Sequence, residues 1–240
     1  MCFTLSIQVE KNRLEKLLNA RFKGDFNFNP VYFVSAFDFP IVPVKTIENP
    51  NYLLPMQWGL IPEWTKNSNE AIQIRSKTLN ARFESLLEKP SFRKSVSKRC
   101  IVPATGFFEW QHIGGKKIPW FITLHHEDVM QLAGIYSSWT NTITGEITNT
   151  FSIITIPANP LLEKIHNTKK RMPAILKPNS ANMWLDQNLE TTSFSEVIEP
   201  IDSGYLNAYT VSPMVSNPKI NRNVPEVLMP YSYPEQQSLF

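Results

Sequence analysis

A chain of 240 residues with 42% apolar and 19% charged side chains can bury a substantial core, and that balance excludes a disordered or fibrous polymer. A net charge of +3 does not argue for nucleic acid unless basic residues cluster locally, and two cysteines, Cys2 and Cys100, are too few for a disulfide framework. The start lacks the organisation of a signal peptide and the longest apolar run, within TFSIITIPA, is far short of a membrane span, so a soluble cytoplasmic protein is expected.

Proline is abundant at 19 and glycine scarce at 8, which favours short elements joined by fixed loops. FTLSIQV alternates apolar and polar positions and predicts a strand that begins beside Cys2. KNRLEKLLNARF predicts a helix with Leu14, Leu17 and Leu18 on one face and Asn12 as its cap. VYFVSAF and PIVPVKTI read as strands, and LLPMQWGLIPEW as strand and loop. A helix is expected around ARFESLLE, then a second, basic helix over SFRKSVSKR. Strands follow in CIVPATGFFEW, IPWFITL, VMQLAGIYSSW and NTFSIITIPA, with GGKK as a hairpin turn. In ANPLLEKIH, Asn159 is a good N-cap and Pro160 fits the first helical position, so His166 ends a short helix; NSANMWLDQ predicts another. Consecutive strands without βαβ alternation predict an α+β fold, with a largely antiparallel, barrel-like β core and peripheral short helices. No linker is visible, so one domain is expected over residues 1–230, with a flexible tail over 231–240.

The candidate chemistry begins at Cys2. Were Met1 removed, this residue would carry an amine and a thiol on adjacent carbons, a reagent no internal cysteine supplies. Asn80 in SKTLNARFESL, Glu109 in TGFFEWQ and His166 in LLEKIHNTKKRMP lie inside apolar or aromatic stretches. Taken singly, each has an ordinary structural reading as a cap, a solvent-facing strand residue or a helix C-terminus. Metal-ligand spacing, a phosphate loop and a nucleophile elbow are all missing. Basic residues cluster at Lys89, Arg93, Lys94, Lys98 and Arg99, then at Lys116, Lys117, Lys169, Lys170 and Arg171, while Trp58, Trp64, Trp110 and Trp120 interleave with them. That composition suits a single strand, with charge for phosphates and rings for bases. It suits a plain core with a solvated basic face equally well.

Taken together, Cys2, WGLIPEW, LNARFE, PSFRKSVSKRCIVPATGFFEW, KIPWFI, AGIYSSW, FSIITIPAN and RMPAIL resemble the SRAP family of abasic-site processing proteins, also called SOS-response-associated peptidases. The likeness spans nearly the whole chain. It implies covalent capture of abasic sites in single-stranded DNA as a thiazolidine on the N-terminal cysteine, shielding the lesion during replication. An associated autopeptidase and a lyase-type activity belong to the same implication. By that resemblance Cys2 is the nucleophile, Asn80 orients and stabilises the adduct, and Glu109 and His166 handle protons. Arg82, Trp110, Trp58 and Arg171 are expected to contact DNA. No metal or other cofactor is called for, and a monomer working in the cytoplasm at the nucleoid is expected.

The physical chemistry is consistent. An α-amine with pKa about 8 is partly neutral at pH 7 and can attack an aldehyde to form an imine, to which the thiol then adds. Two departures from the family stand out: Phe3 and Thr4 replace its Gly-Arg, and HNTKKRMP sets four residues between His166 and Arg171. Two further readings remain open, an N-terminal-nucleophile (auto)peptidase and a non-covalent single-strand binding module. The ending YPEQQSLF, through Gln236, Leu239 and Phe240, resembles the short peptides that grip the replication sliding clamp, a second expected partner.

Overall fold

In the computed structural model of the chain, residues 2–234 are described. In chain order the elements are β1 (Thr4–Ile7), α1 (Lys11–Leu18), β2 (Arg21–Phe22), β3 (Val31–Ser35), β4 (Ile41–Thr46), β5 (Tyr52–Trp58), α2 (Ser68–Arg75), β6 (Asn80–Arg82), β7 (Arg99–Ala104), β8 (Gly106–Ile113), β9 (Lys116–Leu124), β10 (Met130–Thr140), β11 (Ile147–Pro157), α3 (Pro160–Ile165), β12 (Arg171–Pro173), β13 (Ile175–Leu176), α4 (Pro178–Trp184), α5 (Phe194–Val197) and β14 (Leu206–Thr210). The architecture is α+β, as the element pattern predicts.

Strands β5, β4, β7, β10 and β11 pair antiparallel in that order, and β11 then meets β5 in parallel, with Thr150 opposite Gln57 and Phe151 opposite Trp58. The five strands therefore close into a barrel, which removes exposed edges from the middle of the molecule. Trp58 seals the seam. It is fully buried, its ring lies 5.8 Å from that of Phe151, and its Nε1–H donates to the Leu79 carbonyl at 2.7 Å. Beyond the seam, β6 runs parallel to β11 with Asn80 opposite Ile153. A second sheet, in the order β14-β9-β8-β1-β3, is antiparallel throughout.

The chain passes from barrel to second sheet at Thr105, between β7 and β8. Gly106 sits at the crossing because a Cβ there would come within 2.4 Å of Phe121 Cζ. Leu5 pairs with Phe107 across β1 and β8, and following that antiparallel register towards the N-terminus carries Phe3 and Cys2 to the level of Glu109.

Several expectations need correction. ARFESLLE is not helical: β6 pairs with β11 there, and a single 3₁₀ turn (Phe83–Ser85) follows. The ladder and the grip of Trp58 on Leu79 outweigh local helix propensity. SFRKSVSKR forms turns (Ser95 N to Phe92 O, Lys98 N to Ser95 O), in keeping with serines that compete for backbone hydrogen bonds. In α1 the cap position is Glu10, not Asn12, and Leu17 faces solvent while Leu14 and Leu18 are buried. Residues 231–233 are not a free tail: Tyr231 N donates to Thr210 O, and the Tyr233 hydroxyl to Val211 O at 2.8 Å. Gln236, Leu239 and Phe240 lie outside the described residues.

Candidate active site

Each of the four residues singled out for chemistry arrives on a different element. Cys2 is fully buried just ahead of β1, and Asn80, the first residue of β6, donates from Nδ2 to the Cys2 carbonyl at 2.8 Å. Trp58 fixes the neighbouring Leu79, so the barrel seam sets where this amide points. With its NH₂ so used, Asn80 Oδ1 is buried and has no hydrogen-bond partner among the described residues.

Glu109 lies mid-strand on β8, opposite Trp120, and is 4% exposed. Burial pushes its carboxyl up to about 7, because the anion loses its hydration there. Burial likewise raises the Cys2 thiol well above the ordinary thiol range, and the nearby Glu109 carboxylate adds to the rise.

His166 caps the C-terminus of α3. That helix starts as expected, with Asn159 Oδ1 accepting from Leu162 N at 2.9 Å and Pro160 in the first turn. It is tied to β8 through Gln111 Nε2 to the Lys164 carbonyl (3.0 Å) and through Asn167, which bonds both backbone groups of His112. These ties bring His166 Nε2 to 3.9 Å from Glu109 Oε2. The Nδ1–H donates to the Arg171 carbonyl at 2.8 Å, which assigns the acceptor role to Nε2. Burial lowers the His166 pKa, so the ring is neutral near pH 7. The four-residue spacer in HNTKKRMP is accommodated by a tight turn in which Lys170 N returns to His166 O and Lys170 adopts a φ of 50°.

Glu109 and His166 open into a cleft of about 560 Å³ lined also by Phe3, Thr4, Phe33, Phe37, Trp110, Lys117, Lys169 and Arg222, among others. Glu109 is the one acid among the described residues that line it, so the walls are basic. Trp110 is half-buried beside the cleft, anchored by Nε1–H to Ser216 Oγ at 2.7 Å. Arg82 is exposed and, two residues along β6, projects from the same face as Asn80.

Two residues expected to touch DNA occupy other positions. Trp58 has no exposed surface on which a base could stack. Arg171 is 7% exposed, forks onto Glu84 and donates to the Thr155 carbonyl at 2.6 Å. Both act as supports, Trp58 for Asn80 and Arg171, through its carbonyl, for His166. Lys117, Lys169 and Arg222 are the basic cleft residues. Lys117 and Lys169 belong to basic clusters visible in the sequence, whereas Arg222 carries no local signal and is brought in by the C-terminal segment, its guanidinium 4.2 Å from the Phe33 ring centre.

A closed barrel whose seam orients an amide onto the buried start of the chain, with a buried carboxyl and imidazole opening into a basic-walled cleft, defines a class of proteins built around their first strand. Residues 1–218 match the SOS response associated peptidase (SRAP) family, and the chain belongs to that family. The abasic site processing protein YoqW of Bacillus subtilis is 38% identical over 236 residues, covering 95% of this chain and 99% of that protein. The abasic site processing protein HMCES of Gallus gallus is 33% identical over 200 residues, covering 74% of this chain and 57% of the relative. A crystal structure of a protein from Bacteroides thetaiotaomicron superposes with a TM-score of 0.90 at 36% identity, covering 96% of this chain and all of that one.

Proposed function

We propose that this protein captures abasic sites in single-stranded DNA by a covalent bond to Cys2, once Met1 has been removed. The observation that carries this reading is the convergence of Asn80, Glu109 and His166 on the start of the chain, beside a cleft with basic walls. Its relatives' names, as abasic site processing proteins, point to the same substrate.

The groups suit the chemistry in order. The thiol is held protonated by burial, so the amine of Cys2 attacks the sugar aldehyde first. A protonated Glu109 donates to the departing hydroxyl of the carbinolamine, which leaves as water and gives an iminium ion that keeps its N–H. The sulfur then adds to the iminium carbon, its proton passes to the Glu109 carboxylate, and the five-membered ring closes with a neutral nitrogen. A carboxyl with a pKa of about 7 is suited to both halves, since donor and acceptor forms coexist at neutral pH. The 3.9 Å separation of His166 Nε2 from Glu109 Oε2 lets one oxygen of the substrate bond to both. His166 thus acts as a neutral proton acceptor and relay, and the acid that opens the sugar is Glu109. Asn80 Oδ1, buried and without a partner among the described residues, supplies an acceptor for the new amine while its NH₂ fixes the Cys2 carbonyl.

The test is incubation with abasic and intact oligonucleotides followed by denaturation. A resistant adduct with abasic DNA alone is expected, and it is lost in Cys2→Ala and in protein that retains Met1. Adducts surviving in Cys2→Ala would assign the reaction to a lysine, and equal reversible binding to intact strands would leave a non-covalent binding module. Peptide-bond cleavage in place of an adduct would favour the N-terminal-nucleophile peptidase. Residues Gln236–Phe240 are proposed to bind the sliding clamp, an interaction that deletion of those residues abolishes. Among the described residues no helix is long and apolar enough to cross a membrane.

A further inference from the structure

Position 3 is where this chain departs most plainly from the pattern it otherwise follows. The Phe3 ring lies 4.9 Å from that of Phe37, the planes tilted by 38°. Phe37 is 62% exposed, so burial gives no account of its placement. The turn that presents it is fixed by three backbone N–H donors. Ala36 N donates to the Phe3 carbonyl at 2.8 Å, Phe37 N to Ser35 Oγ at 3.3 Å and Phe39 N to the Ala36 carbonyl at 3.1 Å, with Phe39 in the left-handed region at φ 49°. Both rings line the cleft that holds Glu109 and His166, whose walls also carry Lys117, Lys169 and Arg222.

We propose that Phe3 and Phe37 form an aromatic platform on which the base next to the abasic sugar stacks, making them positioning residues that set which flanking nucleotides the protein accepts. The proposal rests on the reading of the cleft as a single-strand DNA site. An abasic nucleotide has no base of its own to stack, so the grip on the lesion must come from phosphates and from the neighbouring bases. Phe3 is bonded directly to Cys2, and a sugar held against Cys2 brings its flanking base to the level of residue 3. Thr4 carries no charge, so stacking substitutes for one ionic contact. The strength of such a contact follows ring area, which favours a purine neighbour, and unlike a phosphate contact it does not weaken steeply with salt.

The test is equilibrium binding of the full chain to single strands containing a tetrahydrofuran abasic analogue, which lacks the aldehyde. The analogue is flanked on both sides by adenines, by thymines, or by further base-free residues. Wild type is expected to bind the adenine-flanked strand about 10-fold more tightly than the base-free one, with thymine between them. Phe37→Ala removes an exposed ring without opening the core, and both it and Phe3→Gly bring the three strands to similar affinity. A wild type indifferent to the flanking base, or a Phe37→Ala protein that keeps the preference, overturns the platform while leaving the DNA reading in place. Binding to none of the strands overturns both. Because the analogue cannot form an imine, the outcome is independent of whether Cys2 forms an adduct.

Discussion

Replacing Glu109 by glutamine keeps the shape of the side chain and removes its titration, and the buried position of this carboxyl makes the consequence measurable. The folded carboxyl keeps its proton up to about pH 7, whereas an unfolded one releases it near its ordinary value of about 4.5. Between those two values the folded chain binds more protons than the unfolded chain. Its contribution to stability is therefore intact below about pH 4.5, falls as pH rises through the window, and levels off above about pH 7. Holding the anion in place costs the wild type about 3 kcal/mol at about pH 8, so Glu109→Gln should be more stable than wild type there by up to that amount and nearly equal at about pH 4.5. Urea unfolding at the two pH values reads this as a shift in midpoint with the slope unchanged. His166, whose pKa is lowered, contributes with the opposite sign, losing stability as pH falls; because it lies 3.9 Å from Glu109 the two are coupled, and repeating the comparison in a His166→Gln background isolates the carboxyl. A Glu109→Gln protein no more stable than wild type at about pH 8, or with the same difference at both pH values, would refute the buried-carboxyl argument. The same variant should form adducts about 100-fold more slowly, so stability and activity move in opposite directions, as expected of a group held in an unfavourable state for its chemistry.

Arg82→Ala should reduce the slope of log affinity for single-stranded DNA against log salt by about 0.7, the loss of one phosphate contact. Arg171→Lys should lower the unfolding midpoint and leave that slope unchanged, because Arg171 is committed to Glu84 and the Thr155 carbonyl. Trp58→Phe keeps a ring against Phe151 but strips the hydrogen bond from a buried Leu79 carbonyl, a loss of about 2 kcal/mol that thermal or urea unfolding should register. Asn80→Ala should slow adduct formation and also lower Tm, since it strips the hydrogen bond from the carbonyl of fully buried Cys2, a loss of about 1 to 2 kcal/mol that unfolding should register.

The strands of the barrel were readable because their apolar runs are long and β-rich, and α3 because Asn159 and Pro160 mark its start. The helix α2 carried the right end signal, with Asn67 accepting from Glu70 N and Glu70 accepting from Lys66 N. It shows no apolar stripe, since Ala71 alone is buried and Ile72 faces solvent, and periodicity therefore passed over it. The strand state of 80–82 is invisible locally because it depends on β11, some seventy residues later in the chain. The four site residues could be named from motifs, but their meeting point depends on the β1–β8 register and on the ties from α3 to β8. Burial separates what the motifs could not: Trp58 and Trp110 look alike in sequence, yet one seals the barrel and the other borders the cleft. Phe3 gained a partner in Phe37, a contact that neither residue's neighbours in sequence announce.

The most direct test of the central claim is mass spectrometry of the purified adduct with an abasic oligonucleotide, followed by proteolysis. The expected mass equals the Met1-free protein plus the oligonucleotide less one water, with the DNA carried by the peptide that begins at Cys2. An intact Met1 in the adduct, or a linkage on any lysine, would contradict it.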